Sequence, residues 1–128
     1  RFWNVKITVM LGPTLSDRSK PELKNLTFDT YKNLSDRGID VAIITDHPEI
    51  TIETVAFAVM AVKHGMDEEK ALKAITSTAA KNCWIDDRVR TLEVGKDADI
   101  AVFTDLPTRF ESECVMTFID GKCVTDIK

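Results

Sequence analysis

An aliphatic run at residues 39–45, Ile-Asp-Val-Ala-Ile-Ile-Thr, constrains the fold of this chain more than any other feature. A near-continuous run of Ile and Val leaves neither face suited to water, which is typical of a parallel strand covered on both sides. The run ends at Asp46, followed at once by His47 and Pro48. Because Pro48 has no amide hydrogen, it cannot extend a strand ladder. The sequence therefore predicts a buried parallel strand that ends at a carboxylate in a loop.

Two interpretations of Asp46 are open at this point. In parallel α/β folds, side chains at the carboxyl ends of strands converge on the ligand crevice, so a carboxylate there is well placed for chemistry. Alternatively, Asp46 caps a turn, because an Asp before His-Pro can accept hydrogen bonds from nearby backbone amides. The local pattern alone favours neither interpretation.

Length and composition bound the class of protein. A chain of 128 residues, 44% of them hydrophobic, fits one ordinary domain with a real core. The net charge of −4 comes from interspersed acidic and basic residues, which argues against a nucleic-acid partner or a membrane surface. No apolar segment approaches the roughly 20 residues of a membrane span, and no signal peptide is evident, so a cytoplasmic location is expected. The three cysteines lack metal-type spacing and are predicted to be reduced and mostly buried: Cys83, Cys114 and Cys123.

The first half of the chain predicts a strand, a helix and a second strand. Alternating residues at 5–11 predict a strand that ends at Gly12-Pro13, and a polar loop follows. Thr27 as N-cap and Gly38 after the last turn bound a helix at 28–37. With the strand at 39–45, this is a βαβ unit, whose strands should be parallel. The fold class is therefore α/β. Because the chain starts at Arg1 without Met, close to this strand, we expect it to be part of a longer polypeptide.

Three helices are predicted next. Residues 52–63 are apolar on nearly every face, so this helix should be buried on two sides. His64 and Gly65 end it, and His64 near the negative end of the helix dipole is better interpreted as a capping residue than as a metal ligand. A second helix begins at Asp67, and a third short one is predicted to be capped by Ser77 or Thr78.

The composition changes from residue 86 onward, where short strands replace helices. Strands are predicted at 99–104, 114–119 and 122–127. Asp120-Gly121 lies between the last two, and this dipeptide is a strong signal for a two-residue hairpin with positive φ at both central positions. A small antiparallel β region should therefore follow the α/β part.

Several segments together resemble the C-terminal part of the amidohydrolase superfamily, closest to its imidazolonepropionase-like members. Gly12-Pro13 with residues 18–20 also looks like the loop after the preceding barrel strand in that subgroup. The order and spacing of the segments match the family over most of the chain. The segments that carry the resemblance are Ile-Thr-Asp-His-Pro at 44–48, residues 71–76 continuing through Lys81, Gly-Lys-Asp-Ala-Asp-Ile at 95–100, and Asp-Gly-Lys at 120–122.

This resemblance implies that residues 1–85 are the last two strands and helices of a (β/α)8 TIM barrel, and that residues 86–128 are part of a small, composite β-sandwich. It also implies that Asp46 is both a metal ligand and the catalytic carboxylate of a metal-dependent hydrolase. Such an enzyme hydrolyses carbon–nitrogen bonds, in an amide, cyclic amide or amidine, of a small-molecule substrate. The implied cofactor is a divalent metal, zinc, in the full-length enzyme.

The chain also departs from the family pattern. The family's other ligands, a His-x-His pair, a carboxylate or modified Lys and two further histidines, have no counterpart, because only His47 and His64 exist. His47 is expected to point away from Asp46. We therefore expect the fragment alone to be inactive and to hold no metal. The alternative is a non-catalytic α/β module that binds a small molecule or a protein partner. Strand edges left open in a partial barrel further predict a homo-oligomer.

Overall fold

The computed structural model describes residues 7–14, 20–46 and 54–125. Its first sheet is a parallel pair of strands, β1 (Thr8–Leu11) and β2 (Asp40–Ile43). Val9 lies opposite Val41 in the register. Both strands are shorter than predicted, and residues 5 and 6 lie outside the described ranges. The parallel pairing of the βαβ unit is confirmed.

A short 3-10 turn (Pro21–Leu23) and helix α1 (Asp29–Ser35) connect the two strands. Phe28 is the N-cap residue, one position later than predicted, although the Thr27 hydroxyl still accepts a hydrogen bond from the Asp29 amide at 3.3 Å. Gly38 adopts φ +75° directly after the helix, as the predicted left-handed terminator should.

Three helices follow: α2 (Thr54–Lys63), α3 (Glu68–Ile75) and α4 (Ser77–Asn82). The predicted start of α2 at residue 52 lies outside the described ranges. The predicted start of α3 at Asp67 is confirmed, since Asp67 is its N-cap residue and its side chain accepts a hydrogen bond from the Lys70 amide at 3.0 Å. The predicted cap of α4 is wrong: Thr76 is the N-cap, and Ser77 and Thr78 lie inside the first turn. The backbone of Thr76 leaves the helical region, which separates α3 from α4 at that residue.

The core lies between these helices and the parallel strands. Helix α2 buries Phe57, Ala58 and Ala61, and α3 and α4 pack against β2. Tyr31 of α1 is fully buried in the same cluster. The small Ala side chains on α2 and α3 allow close approach to the strands, so the core is dense around β2.

The remaining strands form an antiparallel sheet in the order β3 (Ile100–Phe103), β4 (Cys114–Ile119), β5 (Lys122–Cys123). Asp120 and Gly121 have φ of +49° and +74°, so the predicted hairpin is confirmed. Helices give way to strands between Asn82 and Ile100, and a domain boundary at residue 85 stays a prediction.

The prediction of mostly buried cysteines is wrong, because all three are exposed. Cys83 ends α4, and the other two lie on the antiparallel sheet, where most side chains face solvent. In the described ranges, every helix is too short or too polar to cross a membrane.

Candidate functional site

The candidate site is the edge where β1 and β2 both end. Parallel strands bring their carboxyl ends to the same side of a sheet. Beyond β1 the chain continues as Gly12-Pro13-Thr14, and beyond β2 as Ile44-Thr45-Asp46. The Ile44 amide donates a hydrogen bond to the Leu11 carbonyl at 3.0 Å, one step past the ladder. The two connecting segments therefore start side by side.

Gly12 allows an unusually close approach between these segments. A Cβ atom built on Gly12 would lie 1.8 Å from the Ile44 carbonyl oxygen and 2.8 Å from its carbonyl carbon. Since both atoms belong to the backbone, no side-chain rotation can relieve that overlap. Only glycine fits here, and its lack of a side chain lets the end of β1 approach the segment that leads to Asp46 this closely.

Asp46 is exposed and has φ of +44°, a left-handed conformation that Asp adopts more readily than most residues. Across the described ranges, its carboxylate has no hydrogen-bond partner. The backbone thus turns at Asp46. The amides directly after it, from residue 47 to 53, lie outside the described ranges, so the interpretation of Asp46 as a turn cap stays a prediction.

A buried pair of hydroxyl groups fixes the segment after β1. The Thr14 hydroxyl lies 2.9 Å from the Tyr31 hydroxyl, and the two residues are only 7% and 0% exposed. The Tyr31 hydroxyl also donates to the Leu11 carbonyl at 3.5 Å. Burial raises the pKa of Tyr31, while its hydrogen bond with Thr14 acts in the opposite direction. The phenol therefore stays protonated at neutral pH and remains a donor.

Sequence reasoning missed this pair, although a signal for it existed. Tyr31 is the only tyrosine of the chain and lies on the apolar face of the predicted helix. A buried tyrosine hydroxyl usually has a hydrogen-bond partner, so the position itself required one. The partner could not be chosen from sequence, because Thr14 is 17 residues away.

The two histidines do not gather around Asp46 in the described structure. His47 lies outside the described ranges, so its predicted orientation stays a prediction. The Nδ1 atom of His64 lies 2.8 Å from Oδ1 of Asp29, and its ring contacts that of Phe28 at 5.3 Å between centroids. His64 therefore joins the end of α2 to the start of α1. Its hydrogen bond is the main cause that lowers the pKa of Asp29.

The described residues do not provide the ligands of a complete metal site. Among the residues that the structure describes, no group of three or more His, Cys, Asp or Glu side chains could hold a metal ion. A catalytic zinc typically takes about three protein ligands. The described part of the chain offers Asp46 alone at the strand ends, and this set does not fit a complete metal site.

A cleft of about 490 Å³ lies elsewhere, between the helices and the antiparallel sheet. None of the strand-end residues lines it, and the Arg90 guanidinium at its rim donates to the Ile75 carbonyl at 3.4 Å. Its lining is mainly apolar and lacks a catalytic constellation. The strand ends remain the candidate site. The apolar lining includes Val55, Leu72, Ile100 and Phe103.

Comparisons with known proteins identify the family of this chain. The sequence profile of the Amidohydrolase family matches residues 15–124. A solved crystal structure of an amidohydrolase from Thermotoga maritima MSB8 superposes with a TM-score of 0.85 at 38% sequence identity. The match covers 94% of this chain and 32% of that one, so the chain spans about a third of the solved protein. A search of curated proteins gives no significant match. The predicted family resemblance is confirmed, and the imidazolonepropionase-like subgroup stays a prediction.

Proposed function

The chain belongs to the amidohydrolase family, and we propose that it forms the C-terminal part of a metal-dependent hydrolase acting on carbon–nitrogen bonds of a small molecule. In this proposal β1 and β2 are the last two strands of a (β/α)8 barrel, and β3 to β5 belong to a small β-sandwich. The parallel pairing of β1 with β2 and the partial coverage of the Thermotoga maritima structure support it. The remaining barrel strands and metal ligands would come from the rest of the parent polypeptide.

The observation that carries the proposal is the position of Asp46. It lies exposed three residues beyond the carboxyl end of β2, and the intervening Ile44 contacts the end of β1. Barrel enzymes place their catalytic groups at this end of the strands. Hydrolysis of a carbon–nitrogen bond adds the hydroxyl group of water to carbon and transfers a proton to the departing nitrogen. A free carboxylate can accept the proton from water and deliver it to that nitrogen.

The metal enters the proposal only as a group that Asp46 would help to hold. A divalent metal, when bound, supplies water that ionises at a pKa of about 7. Asp46 is the one ligand that we assign to this chain, and its lack of a partner in the described ranges is compatible with that role.

The test is Asp46→Asn in the full-length parent enzyme. Activity would be screened on small amides, cyclic amides and amidines by release of amine or ammonia. We expect Asp46→Asn to keep the fold but lose about 10²–10⁴-fold in kcat, the range for general acid–base groups. Asp87→Asn is the matched control, because Asp87 is an exposed carboxylate in a turn beyond the helices. His47→Asn should reduce kcat far less than Asp46→Asn.

Equal activity of Asp46→Asn and Asp87→Asn would contradict the proposed role. If the parent polypeptide hydrolyses none of these substrates while still binding one of them, the non-catalytic module becomes the better interpretation. Metal content measured on each purified variant separates loss of the metal from loss of proton transfer.

A further inference from the structure

The carbonyl oxygen of Leu11 is a junction between the two sides of the candidate site. It accepts the Ile44 amide at 3.0 Å and faces the Tyr31 hydroxyl at 3.5 Å. The same Tyr31 hydroxyl contacts Thr14 at 2.9 Å. One buried phenol thus touches the last residue of β1 and the segment that follows it. The Leu11 carbonyl that it contacts also accepts the amide of Ile44, two residues before Asp46.

We propose that Tyr31 is a positioning residue for Asp46, an inference that rests on the proposed function. The Asp46 carboxylate has no described partner that would fix it, so its location depends on the backbone of residues 44–46. That backbone is constrained on its β1 side by the Leu11 carbonyl and by contact with Gly12. Tyr31 holds the β1 side in place, because its ring is fully buried and its hydroxyl bonds on both sides of Gly12.

Rigid anchoring distinguishes Tyr31 from an ordinary core residue. Its ring packs in the main core cluster and lies 6.1 Å from the Phe28 ring, so α1 fixes the position of the hydroxyl. Phenylalanine would fill the same space and leave Leu11 and Thr14 without that hydroxyl. The packing would survive, and only the constraint on the strand-end segments would be lost.

The experiment uses the full-length parent enzyme with Tyr31→Phe and Thr14→Val, each of which removes one hydroxyl at nearly constant volume. Thr108→Val is the matched control. Thr108 is also buried, and its hydroxyl donates to the Glu68 carboxylate at 2.6 Å, away from the strand ends. Thr14→Val and Thr108→Val each lose one buried hydrogen bond, whereas Tyr31→Phe loses both the bond with Thr14 and the longer one to the Leu11 carbonyl. A purely structural role therefore predicts the same kinetic result for Thr14→Val and Thr108→Val.

We expect Tyr31→Phe to lower kcat by about 10- to 100-fold, because misplacement of a catalytic group by about 1 Å can cost about 100-fold. KM should change by less than about twofold, since substrate binding itself is not removed. Thr14→Val should also lower kcat, and the double variant should be no worse than Tyr31→Phe, because Tyr31→Phe already removes the bond between Thr14 and Tyr31. Thr108→Val should leave kcat unchanged.

An Asp46→Asn background shows whether Tyr31 acts through Asp46. There, Tyr31→Phe should lower the residual kcat by less than about twofold, because the group that it positions is already gone. An equal loss in both backgrounds, or equal kcat for Tyr31→Phe and Thr108→Val, would overturn the positioning role. If Tyr31→Phe does not fold, Thr14→Val decides by the same criteria. Loss of activity in Asp46→Asn but not in Tyr31→Phe rejects the positioning role alone, whereas full activity of Asp46→Asn rejects the proposed function as well.

Discussion

Replacement of Gly12 by Ala should destabilise the protein by several kcal/mol. The new Cβ would lie 1.8 Å from the Ile44 carbonyl oxygen, whereas real Cβ contacts stay beyond 3.0 Å, so the two backbones must separate by about 1.2 Å. That movement breaks the bond between the Ile44 amide and the Leu11 carbonyl, worth about 0.5–1.5 kcal/mol. Forcing an extra atom into packed structure costs about 1–3 kcal/mol more. The clash should therefore cost about 2–4 kcal/mol in the free energy of unfolding.

Urea unfolding followed by far-UV circular dichroism measures this loss. With an m-value of about 2 kcal/mol/M, the midpoint should fall by about 1–2 M. Gly38→Ala is the control, because Gly38 also has positive φ but a Cβ there would meet nothing within 4 Å. Gly38→Ala should therefore cost only the strain of a left-handed alanine, about 1–2 kcal/mol, without a steric clash. If Gly12→Ala cost no more than Gly38→Ala, the inferred contact between the two strand ends would be wrong.

Two further predictions concern the helices. Asp67→Ala removes the acceptor of the Lys70 amide and should cost about 0.5–2 kcal/mol in thermal unfolding, whereas Asp67→Asn should keep most of the stability. The pKa of Asp29 is lowered chiefly by its hydrogen bond with His64. Ionised Asp29 therefore contributes to the free energy of unfolding above the ordinary pKa of about 3.9, and this contribution is lost as the pH falls through the lowered pKa. The stability difference between wild type and Asp29→Asn in urea unfolding should therefore shrink as the pH falls below the ordinary pKa of about 3.9, and a constant difference would contradict the prediction.

Features with strong local signals could be predicted from the sequence. The run at 39–45 predicts a buried strand because its residues suit burial on both faces, and β2 lies inside it. Gly38 and Asp120-Gly121 mark their turns because few other residues adopt positive φ. The same run predicts Asp46 directly after the strand, whereas β2 ends at Ile43, three residues before Asp46.

Contacts between distant residues could not be predicted in this way. The Thr14–Tyr31 pair spans 17 residues and the His64–Asp29 pair spans 35, so each depends on how helices pack and not on any local pattern. The exposure of Cys114 and Cys123 depends on what covers the antiparallel sheet, which composition does not determine. The ends of β1 and β2 were overestimated because the hydrophobic runs extend beyond the paired residues.

The last prediction concerns the assembly of the 128-residue chain itself. In the described ranges, β1 and β2 pair only with each other, so each presents one backbone edge without a strand partner. Ile7, directly before β1, and Met10, within β1, are 64% and 49% exposed. A two-stranded sheet is marginal alone, and open apolar edges pair readily with other chains. We therefore expect the chain to self-associate, most simply as a symmetric dimer.

Sedimentation equilibrium at micromolar concentration measures this assembly. Met10→Lys should weaken association, because a charged side chain on an edge strand opposes pairing with another chain. Val94→Lys is the matched control, since it makes the same kind of change at a fully exposed turn outside every strand. Equal association constants for Met10→Lys and Val94→Lys would mean that the contact between copies of the chain does not involve β1. A strictly monomeric wild type that unfolds cooperatively would contradict the open edges altogether, because β1 and β2 would then be stable without further strands.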